Sequence, residues 1–252
     1  MIFEHIYIIG EGKVAINCKK IAENFFNRDI IFIQNSKQNE LDTFFNQIKN
    51  SFIISANNPY IFKKECIKNN FIVNYHNSLL PDHKGCNAHI WSIWYNDEKS
   101  GITWHKVDEN IDSGDIIIQK EIIIKKQTTA LLLLQKQQNL AIRSFEECLQ
   151  QICNHSKLKI QSKNGLYHNK NSLPNNGLYH NKNSLPNNGL LDISWDRKKI
   201  INFLLAMDNG KLTNKAKINI SNQTLTIIFY EINEKYIKLT LENDIILKII
   251  KE

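Results

Sequence analysis

The run HIYIIGEGKVAINCKKIAENFF, at residues 5–26, decides the fold, because a short apolar segment passes through a glycine turn into an amphipathic segment. Short apolar runs are typical of buried strands, and apolar residues three or four positions apart are typical of helices. The same alternation continues through DIIFIQ (29–34), ELDTFFNQIK (40–49) and SFIISA (51–56). Strands that alternate with helices predict βαβ units around a mostly parallel sheet.

The turn inside this run contains Gly10 and Gly12 of the pattern GxGxxA, half of a dinucleotide-binding fingerprint. Such a turn directs a helix N-terminus at an anion. The acidic residue that would hold a ribose after the second strand is replaced by Gln34 and Asn35. The sequence therefore argues against NAD binding.

The charge and the apolar pattern limit the partners of the chain. The net charge of +7 would suit a polyanion, but the lysines are scattered without a run of five or six basic residues. We therefore favour a solvated basic surface over a nucleic-acid-binding face. No apolar run reaches the ~18 residues of a membrane helix and no signal pattern opens the chain, so we expect a cytoplasmic protein without a membrane partner.

The cysteine pattern indicates reduced, mostly structural thiols. The chain contains no CxxC pair, so neither a disulfide framework nor a zinc site is expected. The five cysteines are Cys18, Cys66, Cys86, Cys148 and Cys153.

The expected organisation is α/β. A Rossmann-like domain, a mostly parallel sheet with helices on both faces, covers residues 1–153 and closes with a long amphipathic helix at 129–152. A polar loop at 154–190 contains the twelve-residue repeat NGLYHNKNSLPN at 164–175 and again at 176–187. Two short copies are too few for a solenoid. Residues 191–252 are predicted to form a small α+β appendage, with a helix at about 196–207 and two or three strands.

Three polar residues within the first domain suggest acyl-transfer chemistry. Asn74 and His76 alternate at the end of the predicted strand FIVNY (71–75), where ligands of open α/β sheets bind. Asp112 lies in the turn DENIDSG (108–114), between two further strands. Asn74 and His76 can donate to the oxygen of a tetrahedral intermediate, and Asp112 can orient or charge His76 and accept a proton through water.

Two motifs around these residues resemble the 10-formyltetrahydrofolate-dependent formyltransferases. They are N-x-H-x-S-L-L-P-x-x-x-G, from Asn74 to Gly85, and H-x-x-x-x-x-I-D-S-G-D, from His105 to Asp115. The likeness covers residues 1–150 densely and 177–207 more loosely. It implies that Asn74, His76 and Asp112 are the catalytic residues, with a folate co-substrate and without a metal.

The same resemblance implies two folate-binding segments, Ser55–Tyr60 and Val107–Ile111. The expected pterin neighbours are Asn57, Asn58, Tyr60, Val107, Asp108 and Glu109.

The acceptor is a separate question, since these motifs are shared by enzymes acting on glycinamide ribonucleotide, initiator methionyl-tRNA and nucleotide-linked amino sugars. Two patterns resemble the sugar N-formyltransferases: G-x-N-x-x-x-W, beginning at Gly85, and Y-x-x-x-x-x-L-P-x-x-G-x-x-D-x-S-W, from Tyr179 to Trp195. The resemblance implies a dTDP-sugar acceptor, with dTDP-4-amino-4,6-dideoxyglucose for O-antigen or another surface glycan as our hypothesis. The residues expected to contact it are Lys84, Asn87, Trp91 and Tyr179.

Alternatives stay open at this point. A methionyl-tRNA formyltransferase-like enzyme or a tRNA-binding modifier would use the basic surface instead. The amine position on the sugar is undecided, and a homodimer is expected only because strand-rich appendages often pair. The duplication places Tyr167 and Tyr179 in competition for one position, and we expect the first copy, residues 164–175, to be dispensable.

Overall fold

The computed structural model describes residues 3–161 and 183–250, together with the backbone of residues 179–180. Six α-helices lie in these ranges: α1 (Gly12–Phe26), α2 (Gln38–Phe45), α3 (Lys64–Asn69), α4 (Ala88–Trp94), α5 (Ala130–Cys153) and α6 (Arg197–Met207). The strands are β1 (Ile6–Gly10), β2 (Ile31–Ile33), β3 (Phe52–Ala56), β4 (Phe71–His76), β5 (Lys84–Gly85), β6 (Lys99–Lys106), β7 (Ile116–Ile123), β8 (Tyr179–His180), β9 (Leu190–Leu191), β10 (Lys217–Ile220), β11 (Gln223–Ile232), β12 (Ile237–Leu241) and β13 (Ile246–Ile249).

The chain forms two compact units that interleave along the sequence. The first contains Met1–Gly85, Gly101–Ile122 and Lys136–Tyr179, and the second contains Cys86–Ser100, Ile123–Gln135 and His180–Glu252. The sequence suggested consecutive domains with a boundary at 153, whereas two internal stretches group with the C-terminal residues.

The first unit is built on a six-stranded mixed sheet in the order β2-β1-β3-β4-β6-β7. Strands β1 to β4 are parallel, and β6 runs antiparallel to β4. Successive side chains of β1 enter different cores: Ile8 packs in a cluster with α1 and α5, and Ile9 packs in a cluster with α2 and α3. Helices therefore cover both faces, which explains why β1 and β3 are continuous apolar runs.

A close approach of two strands fixes the first βα turn. Gly10 has φ +155°, and a Cβ there would lie 1.8 Å from the carbonyl oxygen of Ala56. Only glycine fits this position. Glu11, the N-cap of α1, accepts a hydrogen bond from Asn35 through its carboxylate (2.7 Å).

The second unit contains a five-stranded sheet in the order β13-β12-β11-β10-β9. Helix α6 begins where Asp196 accepts a hydrogen bond from the Lys199 amide (2.8 Å), and its bounds agree with the helix predicted at about 196–207. Its apolar side packs on the sheet, with Phe203 in the core beside the half-buried Trp94 and Trp195. The expected α+β appendage is thus present, with a larger sheet than predicted.

Three further features concern the start of α3, the cysteines and the apolar character of the helices. Helix α3 begins only at Lys64, and residues 60–63 before it have no helical structure. All five cysteines are free thiols. Within residues 3–161 and 183–250, no helix combines the length and apolar character needed to cross a membrane.

Candidate active site

Asn74 and His76 lie at the carboxyl end of β4 and point to the same side of the sheet, as their alternation predicted. The antiparallel register places His105 of β6 opposite Asn74, and Thr103 opposite His76. His76 is 4% exposed, and Asn74 is half-buried. The strand end therefore supplies one largely desolvated imidazole and one reachable carboxamide.

Asp112 reaches this strand end through a strained turn. Its φ of 51° lies in the left-handed region, and two residues later Gly114 leaves no room for a side chain. A Cβ at Gly114 would lie 1.9 Å from the carbonyl oxygen of Lys106. The Gln161 amide donates to the carbonyl oxygens of Asp112 (3.1 Å) and Gly114 (2.6 Å) and holds the turn from outside.

The structure brings the three predicted catalytic side chains together. The Asp112 Oδ1 accepts from the Asn74 Nδ2 (3.4 Å), and its Oδ2 lies 3.4 Å from the His76 Nδ1. Oδ2 also accepts from the Gly85 amide at 2.8 Å. Burial opposes ionisation of Asp112, but the neighbouring His76 and the Gly85 amide outweigh it and hold the pKa of this carboxyl well below its usual range. Asp112 is therefore a buried carboxylate at neutral pH.

The proton arrangement on His76 follows from its neighbours. The Nε2 atom lies 2.8 Å from the His83 carbonyl oxygen, and a carbonyl can only accept, so this nitrogen carries a hydrogen. Burial lowers the pKa of His76, although the Asp112 charge works in the opposite direction. In the neutral ring the Nδ1 lone pair faces a carboxylate at 3.4 Å. The His76 Nδ1 and the Asp112 carboxylate can therefore bind one more proton between them.

His105 belongs to the site, although it entered the sequence argument only as a motif residue. Its Nε2 lies 3.1 Å from the Asn74 Nδ2 and 3.4 Å from the Asp112 Oδ1, and it is 2% exposed. The sequence signal for His105 was its fixed spacing, along the chain, before Asp112 in the second motif. The sequence alone did not predict that His105 lies beside Asn74, because it does not give the pairing of β4 with β6.

The two expected folate-binding segments differ in what they offer. Val107, Asp108 and Glu109 line a cavity of about 220 Å³, together with Ile67, Lys106, Gly114 and Asp115. The Asp108 carboxylate accepts from the Asn110 amide and from the Ser113 hydroxyl, so it also shapes the turn before Asp112.

The first segment uses its side chains within the protein. Asn57 donates to the Glu11 carbonyl (3.2 Å), and Asn58 donates to the Ser55 hydroxyl (3.2 Å). The Tyr60 hydroxyl donates to Asp42 at 2.9 Å, and burial, followed by the Asp42 carboxylate, raises its pKa. Backbone groups are then the part of this segment that could serve a ligand, and the side-chain contacts stay a prediction.

The four predicted acceptor contacts fall in different places. Lys84, in the first unit, is 2% exposed. Asn87 and Trp91 belong to the second unit, where Asn87 is the N-cap of α4 in the left-handed conformation and Trp91 stacks on Tyr95 at 5.9 Å. The side chain of Tyr179, like all of residue 167, lies outside the described residues. Their roles stay predictions.

Comparison with known proteins now adds to this geometry. The family model described as formyl transferase matches residues 11–149, which include Asn74, His76 and Asp112. The chain belongs to the formyl transferase family. The catalytic-domain resemblance that the two motifs carried is confirmed.

Curated relatives of this formyl transferase have different acceptors in their names. The GDP-perosamine N-formyltransferase of Brucella melitensis is 36% identical over 77 residues, which are 31% of this chain and 30% of that protein. The methionyl-tRNA formyltransferase of Clostridioides difficile is 35% identical over 80 residues, 32% of this chain and 26% of that protein. The matches thus span about a third or less of these relatives.

A solved structure shows the same fold over the whole length. The N-formyltransferase from Helicobacter canadensis, in complex with folinic acid and dTDP-3-aminofucose, aligns with 100% of both chains. Its TM-score is 0.68 at 20% sequence identity. This formyl transferase therefore shares its fold, including the C-terminal part, with that protein. Among the described residues, no group of three or more His, Cys, Asp or Glu side chains is arranged to hold a metal ion.

Proposed function

We propose that the protein transfers a formyl group from 10-formyltetrahydrofolate to the amine of a nucleotide-linked amino sugar. The observation that carries this proposal is the convergence of the Asn74 carboxamide and the His76 imidazole on Asp112 at one strand end, each at 3.4 Å from its carboxylate. These are the groups that amine formylation requires: a donor to the developing oxyanion and an acceptor for the amine proton.

The reaction exchanges one C–N bond for another. The folate supplies the formyl carbon and leaves as tetrahydrofolate with a hydrogen on N10, while the acceptor nitrogen loses a proton and becomes a formamide. The Nδ2 of Asn74 gives up its long bond to Asp112 (3.4 Å) and donates that hydrogen to the formyl oxygen as negative charge develops on it. Removal of one donor of this kind costs ~100- to 1,000-fold in turnover.

The His76–Asp112 pair handles the proton of the acceptor amine. Because the His76 Nε2 hydrogen is bound to the His83 carbonyl, the proton enters on the Nδ1 side, where the Asp112 carboxylate stabilises the imidazolium. The proton then passes to the departing N10. Burial of both groups makes this transient charge pairing stronger than it would be in water.

A sugar acceptor is supported by the C-terminal unit. The Helicobacter canadensis protein, solved in complex with dTDP-3-aminofucose, aligns over its full length with this chain. We propose a dTDP-linked amino-dideoxyhexose, with dTDP-4-amino-4,6-dideoxyglucose as the first candidate and surface-glycan synthesis in the cytoplasm as the setting. Lys84, Asn87, Trp91 and Tyr179 are the proposed contacts.

Initiator methionyl-tRNA is the second candidate acceptor. The net charge of +7 and the Clostridioides difficile match favour it, since neutralisation of phosphates drives RNA binding.

The test is an absorbance assay for tetrahydrofolate formation, with the acceptors offered separately. The acceptors are dTDP-4-amino-4,6-dideoxyglucose, dTDP-3-aminofucose, GDP-perosamine, glycinamide ribonucleotide and charged initiator tRNA. We expect turnover with a dTDP-sugar and background rates with the last two. Turnover with tRNA alone would replace the acceptor and retain the chemistry, and silence with all five would contradict the proposal.

A further inference from the structure

Three polar residues lie side by side at the ends of three neighbouring strands. The register pairs Ser55 of β3 with Asn74 of β4, and Asn74 with His105 of β6. Ser55 and His105 are each 2% exposed. The catalytic carboxamide is therefore held between two buried polar neighbours, and the direction of each hydrogen bond decides which end of the amide serves the reaction.

The series of hydrogen bonds from the Tyr60 amide to Asn74 has a fixed donor-to-acceptor direction. The Tyr60 amide can only donate, and it donates to the Asn58 Oδ1 at 3.0 Å. The Asn58 Nδ2 is consequently the donor to the Ser55 Oγ at 3.2 Å. With that bond accepted, the Ser55 hydroxyl donates its own hydrogen to the Asn74 Oδ1 at 2.7 Å. The oxygen of the Asn74 amide is thereby directed away from the reaction centre.

The hydrogen bonds on the His105 side of Asn74 give the same orientation of its amide. The His105 Nδ1 lies 2.9 Å from the Lys106 carbonyl oxygen and must carry a hydrogen. In the neutral ring the Nε2 is then an acceptor, and it receives the Asn74 Nδ2 at 3.1 Å. A backbone N–H at one end and a backbone C=O at the other therefore agree on one orientation of Asn74.

We propose that Ser55, held by Asn58, is a positioning residue that fixes the carboxamide of Asn74 with its NH₂ group toward the reacting oxygen. The two ends of an asparagine amide have nearly the same shape, so packing alone does not choose between them. Without the Ser55 hydroxyl, the bond to the amide oxygen is lost and only His105 and Asp112 hold the NH₂ end. The rotated amide then becomes more populated, and it presents an oxygen to the oxyanion, which it would repel. This inference rests on the proposed formyl transfer.

Kinetics of matched variants test the proposal. We expect Ser55→Ala to lower kcat about tenfold, the order expected for one hydrogen bond, with KM for both substrates within twofold of the original values. Ser55→Thr keeps the hydroxyl and should restore most of kcat. The control is Ser51→Ala, which removes another buried hydroxyl, 1% exposed, before the opposite end of β3 and should leave kcat unchanged.

A double-mutant cycle separates positioning from packing. If Ser55 acts through Asn74, then Ser55→Ala should change turnover less than twofold in an Asn74→Ala background. Asn58→Asp provides a second route that keeps the Ser55 side chain. Its carboxylate would attract the Ser55 hydroxyl hydrogen away from Asn74 and should lower kcat in the same direction.

A measurement without turnover uses ¹⁵N-histidine NMR of His105, assigned by its loss in His105→Asn. In the original protein the Nε2 signal should be that of a nitrogen that accepts a hydrogen bond, and in Ser55→Ala it should move, because a rotated Asn74 no longer donates to it. An unchanged His105 spectrum, or Ser55→Ala kinetics equal to those of Ser51→Ala, would overturn the proposal. If the original protein formylates no acceptor, the proposed function fails, while the NMR result still decides the orientation of Asn74.

Discussion

Two buried histidines show how the partner of an imidazole decides its use. His76 in the first unit and His89 in the second are 4% and 5% exposed, and burial lowers the pKa of both. His76 faces the Asp112 carboxylate, whereas the His89 Nε2 donates to the neutral Asn209 Oδ1 at 3.2 Å. The pKa of His89 falls to about 4, although its Asn209 bond partly opposes the effect of burial.

The difference lies in what a proton would meet. An imidazolium at His76 would be stabilised by a charge 3.4 Å away, so the site can take up and release a proton during turnover. An imidazolium at His89 would face a carboxamide in a buried environment. The first arrangement suits chemistry, and the second suits a fixed structural hydrogen bond.

The largest expected effect comes from removal of the charge that distinguishes the two sites. Asp112→Asn keeps the shape and a hydrogen-bonding group but leaves His76 without its counter-ion, so we expect turnover to fall about a thousandfold. Steady-state rates with the best acceptor measure this. Thermal unfolding of the same variant serves as the control for folding, and a rate within tenfold of the original would remove Asp112 from the proton path.

The next largest effect concerns the pH dependence of stability. The unfolded chain binds a proton at His89 near the ordinary histidine pKa of 6.5, and the folded chain only near about 4. Between these values the unfolded state holds more protons, so the free energy of unfolding decreases as pH falls, by up to about 3 kcal/mol from this residue, and then levels off.

His89→Gln should remove that contribution, since glutamine can donate to Asn209 without titrating. Urea unfolding of both proteins at pH 7 and pH 4 measures the difference. Equal losses of stability in the two proteins would show that His89 is not protonated on unfolding in this range.

A smaller change should make the second site resemble the first. Asn209→Asp places a carboxylate on His89, and the opposite charge should raise the His89 pKa by at least one pH unit above about 4. NMR titration of the His89 ring signals measures this. Asp208, the adjacent acid, accepts from the Tyr230 hydroxyl at 2.8 Å, so Asp208→Asn is a control that changes the charge of the residue next to Asn209.

The smallest expected effect is that of the duplication. Deletion of 164–175 leaves one complete copy, and we expect turnover to change less than twofold. These residues lie outside the described parts of the chain, so the prediction depends on sequence alone. A loss of activity beyond tenfold would assign a function to the first copy.

The sequence was sufficient for features that depend on local periodicity. The alternating strand and helix segments predicted the parallel sheet, and alternation within β4 placed Asn74 and His76 on one side. It was insufficient where a neighbour is set by register. Ser55 and His105 flank Asn74 only because β3 and β6 both pair with β4, and one of these pairings is antiparallel.

Sequence periodicity also did not predict which segments of the chain belong to the second unit. Helix α4 is buried on nearly every side, from Ala88 through Ile93, so its sequence pattern does not identify the element that it packs against. The structure shows that it contacts α6, where the Trp94 ring lies 6.0 Å from the Phe203 ring. Such a choice depends on tertiary complementarity, which no single segment encodes.

Gln161 anchors the chain just before the twelve-residue repeat begins. This residue and Lys159, which exchanges two backbone hydrogen bonds with Ile116, secure the chain to the turn that contains Asp112, just before the first copy begins at residue 164. Slippage of the coding sequence beyond this anchor changes the length of the protein without shifting Asp112. The repeat therefore begins beyond the hydrogen bonds that hold the Asp112 turn.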